Sequence, residues 1–295
     1  ITLTALDLSS SVQFHLDDLE KKMDVNGQLF PGWALYPAAV AWVLKSRGFQ
    51  VTGVQAEYTS DVPIGSGLSS SAAVEVAFAI LWQSLGGWSL NRLEIAQVCQ
   101  QAENEYVGVH CGLMDQFAVA CGVEGHALRF DTRSLDYQPV PLPNNSAIII
   151  ADSGVRRSLT NSAYNDRREA CQQAVAIIQR YQPDITSLRD VSAEQLTYYS
   201  EKMPNLTYIR AKHVVDEIAR VEEGVNFLQI GDPKSFGRLM TQAHQSLRDL
   251  FQVSIPELDF LVESAINLQG CFGARLTGAG FGGCTVNLVA AEQAE

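Results

Sequence analysis

The triple serine Ser69-Ser70-Ser71, set in Pro63-Ile-Gly-Ser-Gly-Leu-Ser-Ser-Ser-Ala72, is the segment of this chain best suited to chemistry. Alternation over residues 50–59 predicts a strand leading in. The apolar positions Val74, Ala77, Phe78, Leu81 and Leu85 predict a helix leading out from about Ser70. Gly65 and Gly67 let the backbone turn sharply and come close to a ligand. The first N–H groups of the helix lack partners inside it and carry its positive dipole end, and the serine hydroxyls add further ligands. Such a turn can cradle a phosphate. On residue types alone it reads equally as a Gly/Ser turn with a serine N-cap. The Walker A lysine is absent, which excludes a P-loop NTPase.

Two acids stand out downstream. Ala96, Cys99, Glu103 and Tyr106 recur at spacings of 3, 4 and 3, which places Glu103 on the inward stripe of a predicted helix running from an N-cap at Ser89 to about Tyr106. A carboxylate there is costly unless a cation or donor meets it. Either it sits at the stripe's edge and reaches water, or it meets a hard cation, and Mg²⁺ characteristically takes one or two carboxylates plus phosphate oxygens. Asp115 follows in Cys111-Gly-Leu-Met-Asp-Gln116, a setting that suits a turn residue as well as a catalyst.

Two further segments bear on the reading. Asp152-Ser-Gly-Val-Arg-Arg-Ser-Leu159 with Ser162-Ala-Tyr-Asn-Asp-Arg-Arg168 is a basic turn entering a helix. Leu276-Thr-Gly-Ala-Gly-Phe-Gly-Gly283 contains G-x-G-x-x-G, but Cys284-Thr-Val-Asn-Leu-Val289 after it alternates like a strand, so a dinucleotide-binding turn is rejected. His110 and His244 read as packing histidines.

The elements needed to hold these residues are legible in outline. Strands are predicted over 1–5, 50–59, 126–131, 146–152, 271–276 and 284–289, with a further alternating stretch at Val12, Phe14 and Leu16. Helices are predicted over 34–48, 70–85, 162–181, 206–222, 234–250 and 256–268, with Pro256 at a helix start and Gly270 at a stop. A boundary is expected at Pro139-Val-Pro-Leu-Pro-Asn-Asn145. With 46% hydrophobic and 18% charged residues the chain suits a folded, water-soluble protein. Its net charge of -12 argues against a nucleic-acid partner. The six cysteines form no C-x-x-C pair and read as small core residues of a reducing compartment. The longest apolar run is too short to span a membrane.

Gly-Leu-Ser-Ser-Ser-Ala at 67–72 resembles the phosphate loop of the GHMP kinases, which include galactokinase, homoserine kinase, mevalonate kinase and phosphomevalonate kinase; the triple serine resembles the galactokinase branch. Ala102-Glu-Asn104 and Gly112-Leu-Met-Asp-Gln116 resemble segments of that branch, and Leu276–Gly283 resembles the family's third motif, a glycine turn packed near the phosphate loop. The resemblance implies that Gly65, Gly67, Leu68, Ser69, Ser70, Ser71 and Ala72 hold the ATP phosphates and that Ser71 and Glu103 bind Mg²⁺. It further implies that Asp115 is the catalytic acid, and that Gly112, Asp115 and Tyr164 contact the sugar. The implied activity is ATP- and Mg²⁺-dependent phosphorylation of the anomeric C1 hydroxyl of galactose, in the cytoplasm. The alternatives are a related kinase for another sugar or small alcohol, and a non-catalytic galactose/ATP sensor. The implied fold is α+β in two domains with the nucleotide in the cleft between them: a ribosomal-protein-S5-domain-2-like domain over 1–145 and a ferredoxin-like GHMP domain over 146–295. The resemblance also implies that the chain begins downstream of the family's N-terminal sugar-binding motif (Gly-Arg-Val-Asn-Leu-Ile-Gly-Glu-His) and stops short of a final helix and strand.

Overall fold

The computed structural model describes residues 1–64, 67–109, 111–156 and 160–294, with the backbone alone for 160–164. The chain divides into two compact units. The first comprises Ile1–Glu124 and Phe130–Tyr137, the second Gly125–Arg129 and Gln138–Glu295.

In the first unit, β1 (Thr2–Ala5) is the middle strand of a sheet ordered β2–β1–β3. It runs antiparallel to β2 (Ser10–Gln13) and parallel to β3 (Gln55–Tyr58). Between β2 and β3 lies α1 (Leu35–Ser46), so the parallel pair is joined by the crossover helix such a pairing needs. Helices α2 (Ser70–Gly86), α3 (Arg92–Gln101) and α4 (Met114–Cys121) follow. Leu3, Phe14, Val40, Leu44, Phe78, Trp82 and Val98 share one core. Trp82 is fully buried, and its indole N–H donates to the Thr52 carbonyl at 3.2 Å.

Two helix details depart from expectation. The cap of α3 is Asn91, not Ser89: Asn91 Oδ1 accepts from the Glu94 N–H at 2.9 Å, while Glu94 Oε2 accepts from the Asn91 N–H at 2.7 Å. This reciprocal box satisfies two donors at once, more than one serine hydroxyl can do. The inward stripe of α2 is also rotated. Ala72, Glu75, Val76, Phe78, Ala79 and Trp82 are buried, whereas Ala77 and Leu85 are exposed. A helix apolar nearly all round has a weak hydrophobic direction, so neighbours rather than periodicity choose the buried side.

In the second unit, β8 (Cys284–Ala290) lies between β6 (Ser146–Asp152) and β7 (Cys271–Leu276), antiparallel to both. Helices α5 (Thr160–Gln179), α6 (Ala193–Tyr198), α7 (Asn205–Gln229), α8 (Pro233–Ser246) and α9 (Pro256–Ile266) complete it. A further two-stranded sheet pairs β4 (His126–Phe130) with β5 (Tyr137–Pro141). Strand β8 after the glycine turn agrees with the rejection of a dinucleotide-binding turn, which would require a helix there. His244 is buried and accepts from the Leu276 N–H at Nδ1 (3.3 Å), which leaves its proton on Nε2, 3.2 Å from Asp259 Oδ1. It therefore fastens α8 to the end of β7 and sets its Nε2 beside Asp259 of α9. His110 lies outside the described residues. Among the described residues no helix is long and apolar enough to cross a membrane.

Candidate active site

The serine segment opens α2 with no side-chain cap on its backbone donors among the described residues. Ser69 is the N-cap, held in the left-handed region at φ 60° and ψ 35°, and it makes no side-chain capping bond. Gly67 also has a positive φ, 83°. A left-handed serine costs on the order of 1 kcal/mol. The first regular bond of the helix runs from the Ala73 N–H to the Ser69 carbonyl at 3.0 Å. The N–H groups of Ser70, Ser71 and Ala72 have no partner within the helix, as at any helix start. Leu68, Ser70 and Ser71 are half-buried and Ala72 is buried. Gly65 lies outside the described residues.

Four to five residues along α2, the same helix turns a carboxyl into the protein. Glu75 is fully buried, and its Oε2 accepts from Gln116 Nε2 at 3.1 Å. Gln116, also fully buried, donates from the same nitrogen to Glu103 Oε2 at 2.6 Å. Glu103 itself is 7% exposed and lies in a π-helical turn, Ala102–Val107, that continues α3. All four residues of the predicted stripe, Ala96, Cys99, Glu103 and Tyr106, are buried. Glu103 is thus an inward carboxylate with a donor, and it does not reach out to water.

Asp115 sits in the first turn of α4 and is exposed, one residue before the inward Gln116. The expected turn is the start of a helix. The charge of Asp115 is close enough to help raise the affinity of both Glu75 and Glu103 for protons. For Glu75, burial is the main cause and Glu103 the next, and together they push it up to about 9. Glu103 is raised chiefly by burial, against hydrogen bonds from Cys111 and Gln116 that favour its charged form. Since α2 rises about 1.5 Å per residue, Glu75 lies about 6 Å along the axis from Ser71. The structure therefore brings together the uncapped helix start, Glu75, Glu103 and Asp115 within the first unit.

This donor set suits a hard cation. Crowding and burial favour the protonated forms of these acids, and a bound divalent ion would favour their charged forms instead. Glu75 Oε1 and Gln116 Oε1 are buried without a hydrogen-bond partner among the described residues. No group of three or more His, Cys, Asp or Glu side chains there is arranged to hold a metal alone.

Gly112 is exposed, with nothing among the described residues within 4 Å of where a side chain would begin, so its backbone is open to a ligand. Tyr164 belongs to α5, but its side chain lies outside the described residues. Asp152, at the end of β6, pairs with Arg156 at 2.9 Å on the surface. Sequence reasoning missed Glu75, because a glutamate within Ala-Val-Glu-Val-Ala ordinarily marks the solvent face. Its one signal is that it falls three residues after Ala72 and seven before Trp82, at helical spacing to both.

Residues 35–123 match the GHMP kinases N terminal domain and residues 225–295 the GHMP kinases C terminal domain. The chain is 45% identical to the galactokinase of Roseiflexus sp. (strain RS-1) over 98% of its own length and 72% of that protein's. The chain belongs to the galactokinase family of GHMP kinases. It is also 40% identical to the galactokinase of Homo sapiens, over 99% of its length and 72% of the human protein's. Among solved structures it resembles Lactococcus lactis galactokinase complexed with galactose, with a TM-score of 0.85 and 32% identity over 99% of this chain and 74% of that one. Mevalonate kinase, at a TM-score of 0.61 and 22% identity, shares the fold. The family's α+β, two-domain GHMP architecture is the one expected from the serine loop and the glycine turn.

Proposed function

We propose that this chain carries the catalytic apparatus of a galactose kinase, transferring the γ-phosphoryl group of ATP to the C1 hydroxyl of galactose in the cytoplasm. The observation that carries the reading is the convergence, in a member of the galactokinase family, of an uncapped helix N-terminus with Glu103 and an exposed Asp115. The amides of Ser70, Ser71 and Ala72, with the hydroxyls of the serine turn, hold the phosphates at the positive end of α2. Gly65, Gly67, Leu68 and Ser69 shape that cradle. Ser71 and Glu103 would hold Mg²⁺, which when bound supplies charge neutralisation to the phosphates. Asp115 hydrogen-bonds the acceptor hydroxyl and takes its proton, while Gly112 and Tyr164 place the sugar.

Phosphoryl transfer depends mainly on position and charge, so the two roles separate experimentally. Asp115→Asn is expected to lower kcat by about 10²–10⁴-fold with nucleotide affinity nearly unchanged. Ser71→Ala is expected to weaken nucleotide binding with a smaller loss in kcat. Steady-state kinetics with calorimetric nucleotide binding tests both, and near-normal turnover in Asp115→Asn removes that residue from the chemistry.

A further inference from the structure

Gln116 is the buried neighbour of the proposed base. On α4, Asp115 points to solvent and Gln116 points inward. The Gln116 amide nitrogen has two protons. It lies 2.6 Å from Glu103 Oε2, 3.1 Å from Glu75 Oε2 and 3.7 Å from Cys111 Sγ. One side chain therefore links three elements: α4, α2 through Glu75, and the π-helical turn through Glu103. A residue serving packing alone at such a point would be apolar, because burying an amide is costly unless all of its polar atoms are matched. Here Gln116 Oε1 and Glu75 Oε1 have no hydrogen-bond partner among the described residues. Buried polar groups kept under those conditions call for an explanation beyond stability.

We propose that Gln116 is a positioning residue for phosphoryl transfer: its carboxamide, braced by Glu75, aims the Glu103 carboxylate at the cation while the same helical turn presents Asp115. The proposal rests on the reading of Glu103 as a Mg²⁺ ligand. Without the amide the Glu103 carboxylate keeps its burial but loses its shortest hydrogen bond, and it can rotate away from the phosphate side. The consequence falls on metal-dependent nucleotide binding, not on the helix N-terminus that holds the phosphates directly.

The test uses the whole chain and Gln116→Met, which keeps length and volume but removes the amide. Calorimetry measures the affinity for the β,γ-imido analogue of ATP with Mg²⁺ and with EDTA. The variant is expected to bind the Mg²⁺ complex about tenfold more weakly, and the metal-free analogue within about twofold of wild type; a tenfold change corresponds to about 1.4 kcal/mol. Wild-type protein that responds to Mg²⁺, with an equal response in Gln116→Met, overturns this proposal alone. Wild-type protein indifferent to Mg²⁺ overturns the Glu103 assignment and this proposal together. Should Gln116→Met not fold, Gln116→Asn withdraws the amide by one methylene. The same selective loss is expected there, and an unchanged Mg²⁺ response would overturn the proposal.

Discussion

At the scale of the residue, Glu75 shows how burial sets chemistry. Removed from water and facing Glu103, it holds its proton up to about pH 9, whereas an unfolded glutamate releases it near 4.5. Between those values the folded state binds more protons than the unfolded one, so this group makes stability fall as pH rises from about 4.5 to about 9. Glu75→Gln, a neutral isostere, is expected to flatten that slope. Denaturant midpoints of wild type and variant at pH 5.5 and 8.5 check it: the variant should gain relative stability at the higher pH. Glu103 was legible in the sequence because it breaks an otherwise apolar stripe. Glu75 was not, because an acid flanked by valines on an all-round apolar helix reads as the one polar face such a helix would show to water.

At the scale of the element, the glycine turn between β7 and β8 is set by contacts distant in sequence. Gly278, Gly280, Gly282 and Gly283 all have positive φ, and Phe281 joins them at 58°. A Cβ on Gly280 would stand 2.2 Å from the Val253 carbonyl oxygen, and the Phe281 N–H donates to that same carbonyl at 2.8 Å. Gly280→Ala therefore combines a left-handed backbone with a clash against main chain that cannot swing aside. A loss of at least about 2 kcal/mol of stability is expected, read as a lowered thermal midpoint. This turn is legible from its glycines and from the alternation after it. Helix α4 is not legible in the same way, because Gly112 and the short Met114–Cys121 run carry too few turns for a helical period to emerge. The Asn91 cap was missed for a similar reason: Ser89 and Asn91 are both good caps, and only the placement of Glu94 three residues after Asn91 decides between them.

At the scale of the whole molecule, the order of the motifs carried more information than any one of them. Serine loop, inward Glu103, Asp115 and glycine turn follow one another along the chain, and the N- and C-terminal family matches bracket the same series. A net charge of -12 leaves the positive end of α2 as a local feature of an acidic molecule, so a polyanionic substrate must be recognised by backbone donors and a cation and not by the overall field. The most direct measurement of the central claim is ³¹P NMR of the chain mixed with ATP, Mg²⁺ and galactose. The account predicts a sugar 1-phosphate resonance growing in step with ADP, and no such growth with Asp115→Asn. ATP and galactose that both bind while neither ADP nor a phosphorylated sugar forms would contradict it.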